Sequence, residues 1–392
     1  MEIKEILLSL LRSEVMGEAA GEDVIASLDA ERALAVLRVA KSHDLAHIIA
    51  AAFSRVDLFS RLQGGADAAQ LKKTCEHFEM AALYRYENLR YALEEIGRVL
   101  TEAQIPFTPL KGAVMRGYYP TPWHRSSCDI DVLVHEEDLE RACGALAAKA
   151  GYRVEGKKNF HDIHLYSPAG VHLELHFCLL SSNEKYDLLL SRAWEYSRQN
   201  ANNSFLYEQT DAYFLFHHVA HMAYHFKSGG CGIKPFLDLF VLSRYASPDI
   251  EGARELLSLV GLDTFFASVL SLAEVWFMGG EHTDVTRRME VYLLMGGVYG
   301  TVDNKVLVQQ KKKGGRLGYA LSRIFLARSS LSRMYPILDK HPWMMPVMQV
   351  RRWVRLVFTG GLKRGAHELK VNGEITAAEA QAADQFLTQL GL

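Results

Sequence analysis

At Pro106 the periodicity of the chain changes, and this constrains the fold more than anything else in the sequence. Before it, apolar residues recur at three- and four-residue spacing through DAERALAVLRVAKSHDLAHIIAAAFSRV and DAAQLKKTCEHFEMAALYRYENLRYALEEIGRVLTEAQ. That spacing predicts amphipathic helices, the second about ten turns long. Asp29 and Asp67 stand where N-caps are expected. After Pro106 the pattern shortens to strand-sized segments: FTPLKG, CDIDVLV and, past the helical HEEDLERACGALAAKAG, YRVEG, HDIHLYS and VHLELHF. The last two flank Ser167-Pro168-Ala169-Gly170, a turn composition, and so predict an antiparallel hairpin. From Glu184 the helical period is expected to return and hold to the end. The organisation expected is a helical arm over 1–100, an α+β core over 101–200 with a small, mixed, mostly antiparallel sheet, and a helical domain over 201–392.

Composition excludes several classes. The 392 residues are 49% apolar and 23% charged, as in ordinary globular proteins. No run of about 18 uncharged apolar residues occurs, so no integral membrane segment is expected. The N-terminal MEIKEILLSLLRSEV carries acids where a secretory signal carries only bases, so a cytoplasmic location is expected. Cys75, Cys128, Cys143, Cys178 and Cys231 are odd in number, far apart and without a CxxC pair, which suggests neither a disulfide framework nor a structural zinc site. The formal charge of −2 hides an asymmetry: residues 305–370 hold fifteen Lys and Arg against two acids, Asp339 and Glu368, a net +13. This basic stretch suits an anionic partner. Within it, Arg351, Arg352 and Arg355 with Trp343 and Trp353 could meet nucleic acid, an anionic lipid surface or a phosphorylated acceptor, or could form the solvated face of a helical bundle.

Chemistry concentrates in Cys128-Asp129-Ile130-Asp131-Val132-Leu133-Val134. Residues two apart in a strand share a face, so Asp129 and Asp131 project together while Ile130 and Val132 face a core. Adjacent carboxylates repel unless a cation sits between them, and such hard oxygen ligands suit Mg²⁺. Upstream, Pro109-Leu110-Lys111-Gly112-Ala113 reads as a strand running into a glycine turn and a helix start, bringing backbone N–H groups and a lysine toward phosphate oxygens. Downstream, His172-Leu173-Glu174-Leu175-His176 sets Glu174 between two histidines on one face, available as a third carboxylate. Three carboxylates can bridge two metal ions, align an attacking hydroxyl on an α-phosphorus and neutralise departing pyrophosphate. Lys111 and Arg125 could pair with a triphosphate or serve in ordinary ion pairs, and Ser126 and Ser127 shape the entry to the strand.

A second constellation is His217, His218, His221 and His225, of which 217, 221 and 225 line one helical face. These imidazoles could bind a transition metal completed by Asp238 or His176, contact an anionic substrate, or simply hydrogen-bond within a bundle.

The stretch LKGAVMRGYYPTPWHRSSCDIDVLV resembles the signature of a family of uncharacterised bacterial nucleotidyltransferases within the DNA polymerase β-like superfamily. The similarity extends to the long helix before Pro106, the histidine-rich helix followed by Leu237-Asp238-Leu239, and MYPILDKHPWMMPVMQVRRWVRLV. The resemblance implies a polymerase β-type core in which Asp129 and Asp131 ligate Mg²⁺, in a two-metal site, and Glu174 is the third acid. It places Gly112 in the nucleotide-phosphate turn, and Lys111, Arg125 and Ser127 are candidate contacts of the nucleoside triphosphate. His176, His217, His221, His225 and Asp238 are candidate substrate contacts. The implied reaction is transfer of a nucleoside monophosphate to an unidentified acceptor with release of pyrophosphate. Three departures stand out: Gly112-Ala113 replaces a glycine-serine pair, sixteen residues separate Gly112 from Asp129, and glutamate replaces the more usual aspartate as third acid. The rival readings are a catalytically silent nucleotide sensor, and a metal-dependent phosphohydrolase built on His217, His221 and His225.

Overall fold

The computed structural model describes residues 1–62, 66–179, 185–294, 296–297, 302–358 and 361–392. They form two compact units, Met1–Met222 with Ile233–Glu290, and Ala223–Gly232 with Val291–Leu392. The first unit holds a sheet of seven strands: β1 (Phe107–Pro109), β2 (Asp129–Val134), β3 (Arg153–Glu155), β4 (Asp162–Tyr166), β5 (His172–His176), β6 (Ser197–Asn200) and β7 (Asn203–Gln209). Their spatial order is β3-β4-β5-β2-β1-β7-β6. Four of the six pairings are antiparallel; β2 with β5 and β1 with β7 are parallel.

The fold is α+β with a mixed, mostly antiparallel sheet, but the sheet is larger than expected. The hairpin of β6 and β7 falls where helical periodicity was expected to have returned. SRQN is wholly polar and NSFLYEQ groups Phe205, Leu206 and Tyr207 in one run, so neither shows the alternation that marks a strand. Distant partners hold the hairpin instead. Leu206 pairs with Phe107, the Thr108 hydroxyl donates to the Tyr207 carbonyl at 2.6 Å, and the Asn203 amide donates to the Thr101 hydroxyl at 2.8 Å.

Strand alternation gives the sheet two unlike faces. Ile130, Val132 and Val134 of β2, Leu165 of β4, and Leu173 and Leu175 of β5 form the apolar one. They pack with Leu89, Ile96, Val99 and Leu100 of helix Ala66–Glu102 and with Leu139, Ala142 and Leu146 of helix Leu139–Ala150. The second helix stops at Gly151, whose φ of 69° lets its N–H return to the Ala147 carbonyl at 3.1 Å. Helix Ala66–Glu102 runs unbroken for 37 residues, and Asp67 lies inside its first turn rather than at its cap. Asp29 does cap helix Ala30–Ser42, accepting the Arg32 N–H at 2.8 Å.

In the second unit, Val306, Tyr319 and Val371 form one small core and Leu331, Leu338 and Met348 another. Part of the basic excess is spent there internally. Lys305 and Arg323 both bind Glu368, at 3.4 and 2.6 Å, and the Arg352 guanidinium donates to the Arg323 and Ile324 carbonyls. Among the described residues no helix is long and apolar enough to cross a membrane, and all five cysteines are free thiols.

The loop between β1 and β2 is clamped to the N-terminal helices. His47 Nε2–H donates to the His124 carbonyl at 2.9 Å, and the Arg55 guanidinium grips Glu14, which lies 3.8 Å from His124 Nε2. Burial pushes His47 down to about 4 and His124 down to about 3. Both folded values lie below the ordinary histidine value, so the unfolded chain binds more protons once pH drops below about 6.5. Stability conferred by these neutral rings is therefore full above that pH and is lost as pH falls toward the folded values. Urea unfolding should lose on the order of 2 kcal/mol per ring between pH 7.5 and 5. The His47→Gln variant should show a correspondingly shallower pH slope, and an unchanged slope would contradict the assignment.

Candidate active site

The other face of the sheet is polar, and register assembles it. Asp129 pairs with His172 and Asp131 with Glu174 across the parallel β2–β5 contact, so the three acids predicted from sequence share one surface. One donor atom each of Asp131, Glu174 and His176 lies within 4.8 Å of the others. Asp129 stands on the same face, half-buried, nearer the start of the strand.

Asp131 is buried and doubly partnered: Lys111 Nζ lies 3.1 Å, and His176 Nε2 2.9 Å, from its Oδ1. Burial works to raise its pKa, but Lys111 and His176 overcome this and hold the carboxyl well below the usual carboxylate range. Asp129 goes the other way. Burial, then the charges of Asp131 and Glu174, push it above its ordinary value. Burial lowers the His176 pKa, and its hydrogen bonds to Asp131 and Glu174 more than restore it, leaving it raised.

Lys111 reaches Asp131 from a turn in an uncommon backbone state, φ 44° and ψ −116°. Such a conformation in a residue bearing Cβ costs on the order of 1–3 kcal/mol. The Leu110 N–H bonds the Asp131 carbonyl at 3.0 Å, and the amides of Ala113, Val114 and Met115 are used within the turn by the Leu110 and Lys111 carbonyls. Gly112 is required because a Cβ there would collide with the Ser127 hydroxyl.

The remaining predicted residues divide. Arg125 donates from Nε to Asp238 Oδ1 at 2.6 Å, and the Tyr119 hydroxyl donates to the same oxygen at 2.7 Å. Asp238, fully buried on helix Lys234–Tyr245, is thus committed to bracing the loop before β2. Ser126 binds the Asp44 carboxylate at 2.7 Å, and Lys234 binds both. Of the histidine row on helix Asp211–Lys227, His217 is buried close enough to Lys111, Asp131 and His176 to feel their charges. Burial, then Lys111, push it down to about 3. His218 bonds the Pro235 carbonyl at 3.1 Å, His221 is exposed and His225 half-buried. Among the described residues no metal-capable triad includes His217, His221 or His225.

Sequence reasoning missed Arg116. Its Nε donates to the Gly112 carbonyl at 3.0 Å, while Nη1 and Nη2 are buried with no hydrogen-bond partner among the described residues. Burial, then Arg125, push it down to about 10, and Asp129 is near enough to act against that shift. The signal lay in its position four residues after Gly112, one helical turn on, which returns a side chain toward the turn.

Acids beside lysine and arginine on one sheet face define the class of arrangement that phosphate-handling proteins use. Residues 29–278 match the family described as uncharacterised nucleotidyltransferases, and the chain belongs to that family. No curated protein matches it. Among solved structures, that of the antibiotic-resistance factor ANT(2'')-Ia is similar at 14% identity over 48% of this chain and 88% of that one, with a TM-score of 0.26.

Two outcomes follow from this packing. Gly112→Ala should cost about 1–3 kcal/mol from overpacking, and Ser127→Ala should restore part of it in the double variant, a coupling readable by chemical denaturation. Asp238→Ala should cost about 3–5 kcal/mol because Arg125 is left as an uncompensated buried charge, whereas a loss below 1 kcal/mol would show that the pair is not a brace.

Proposed function

We propose that this chain is a Mg²⁺-dependent nucleotidyltransferase of the polymerase β type, moving a nucleoside monophosphate from a nucleoside triphosphate to an acceptor hydroxyl with release of pyrophosphate. The observation that supports it most is the register of β2 on β5, which sets Glu174 opposite Asp131 and beside Asp129 on a polar face. The donor set fits the ion: three carboxylates lie together, and Asp129 is raised by burial and by its neighbours' charge, as expected of a group awaiting a cation.

On this reading Asp129, Asp131 and Glu174 would hold two Mg²⁺ ions, which supply charge neutralisation at the triphosphate. Lys111 and Arg116 place positive charge at the glycine turn, where β- and γ-phosphate oxygens would lie. His176 holds Asp131 in orientation through its Nε2 contact. Glu174 takes the acceptor proton as the acceptor oxygen bonds to the α-phosphorus and the bond from that phosphorus to the β-phosphate oxygen breaks. The acceptor is unidentified; the net +13 of residues 305–370 suits an anionic partner.

Calorimetry of the four nucleoside triphosphates, with and without Mg²⁺, tests the site. Binding should require Mg²⁺ and vanish in Asp129→Asn/Asp131→Asn, and Glu174→Gln should slow pyrophosphate release by about 10²–10⁴-fold. Undiminished binding in the double variant would refute the assignment.

A further inference from the structure

The polar face carries a second cluster, of which the reaction proposed above uses only the Nε2 side of His176. His161 precedes β4, Asp162 opens it, and Asp162 pairs across the hairpin with His176 of β5. One donor atom from each of these three residues lies within 4.8 Å of the others. Asp162 and His176 are each 3% exposed, so a carboxylate and an imidazole are buried side by side. His161 Nε2 lies 3.0 Å from Asp162 Oδ2, close to the roughly 3.3 Å that separates two ligands on one tetrahedral zinc ion. The Asn159 amide donates to the other Asp162 oxygen at 2.6 Å and fixes the carboxylate.

His176 supplies the independent observation. Its Nε2 is occupied by Asp131 at 2.9 Å, and the nitrogen left over, Nδ1, is buried with no hydrogen-bond partner among the described residues. A buried ring nitrogen without a partner carries a desolvation cost that native structures seldom leave uncompensated. Two imidazoles and one carboxylate are a donor set of intermediate softness, suited to zinc-class ions and poorly suited to Mg²⁺.

We propose that His161, Asp162 and His176 form a transition-metal site of the zinc class, distinct in donor chemistry from the three acids and joined to them through the His176 ring. With the ion on Nδ1, the ring keeps its proton on Nε2 and donates it to Asp131, giving a carboxylate–histidine–metal relay in which Asp131 is the outer partner. The ion pins β4 to β5 and fixes both tautomer and orientation of the histidine that positions Asp131. His176 thereby becomes a positioning residue set by a metal.

The test uses the full chain, stripped of metal and titrated with Co²⁺ in excess Mg²⁺, and reads the visible absorption of tetrahedral Co²⁺ and its displacement by Zn²⁺. One equivalent should bind to the wild type and to Glu174→Gln, while His161→Gln and Asp162→Asn should each weaken binding by at least about tenfold. His161 is partly exposed, so its variant is the one expected to fold unchanged, checked by circular dichroism and metal-free melting. The proposal is overturned by no binding to the wild type. It is equally overturned by undiminished binding in both variants, or by binding that Glu174→Gln abolishes and His161→Gln does not. None of these readouts involves a nucleotide, so the result stands apart from the reaction proposed above.

Discussion

The contact between Lys111 and Asp131 organises the polar face. A carboxylate as buried as Asp131 is tolerable only with compensating positive charge, and Lys111 and His176 provide it from opposite sides of β2. Lys111 reaches it from a strained backbone state and is immediately followed by a glycine on which a Cβ would meet the Ser127 hydroxyl. The glycine turn, the first strand and the entry to the second strand thus converge on one buried ion pair. The Leu110 N–H bond to the Asp131 carbonyl registers the two strands at the same point.

Ser127 can press on Gly112 only because the segment before it is braced from outside the sheet. Arg125 and Tyr119 converge on Asp238, Ser126 is held by Asp44 and Lys234, and the His124 carbonyl is held by His47. These partners come from residues 44–47 and from helix Lys234–Tyr245, far from the loop in sequence. The flanking helices therefore act as a frame for the turn. This assigns a physical role to regions that carry no reacting group: Arg125, a candidate triphosphate contact in sequence, and Asp238, a candidate substrate contact, bind each other in the structure.

Much of this was legible from sequence because it depends on local period. Alternation in CDIDVLV and VHLELHF was enough to place Asp129, Asp131 and Glu174 on polar faces, and turn composition gave the hairpin of β4 and β5. What was not legible depends on pairing between distant segments. The parallel register that opposes Asp131 to Glu174 is a tertiary choice, as is the docking of β7 on β1. Arg116 was missed because its one signal, a spacing of four from Gly112, carries meaning only once that segment is known to be a helical turn. His161 and Asp162 lie at the start of a segment read only for its period, and their closeness to His176 arises only when β4 is laid beside β5.

Asp129 and Asp131 show how closely spaced identical groups take different roles. They stand two residues apart on one strand face, yet Asp131 is held anionic by Lys111 and His176 while Asp129 is displaced upward by burial and by the charge of its neighbours. Under the function proposed here, Asp131 is the anion already in place when a cation arrives, and it can serve without shedding a proton. Among the described residues no cation hydrogen-bonds Asp129, and the charges of Lys111 and His172 only partly offset its rise, so on that reading its full ionisation and the arrival of the cation favour each other. The hydrogen-bonded compensation is concentrated on Asp131, and the net unfavourable charge is concentrated on Asp129. On that reading, affinity for a divalent ion would draw on Asp129 while the Lys111–Asp131 ion pair that holds the turn stays in place.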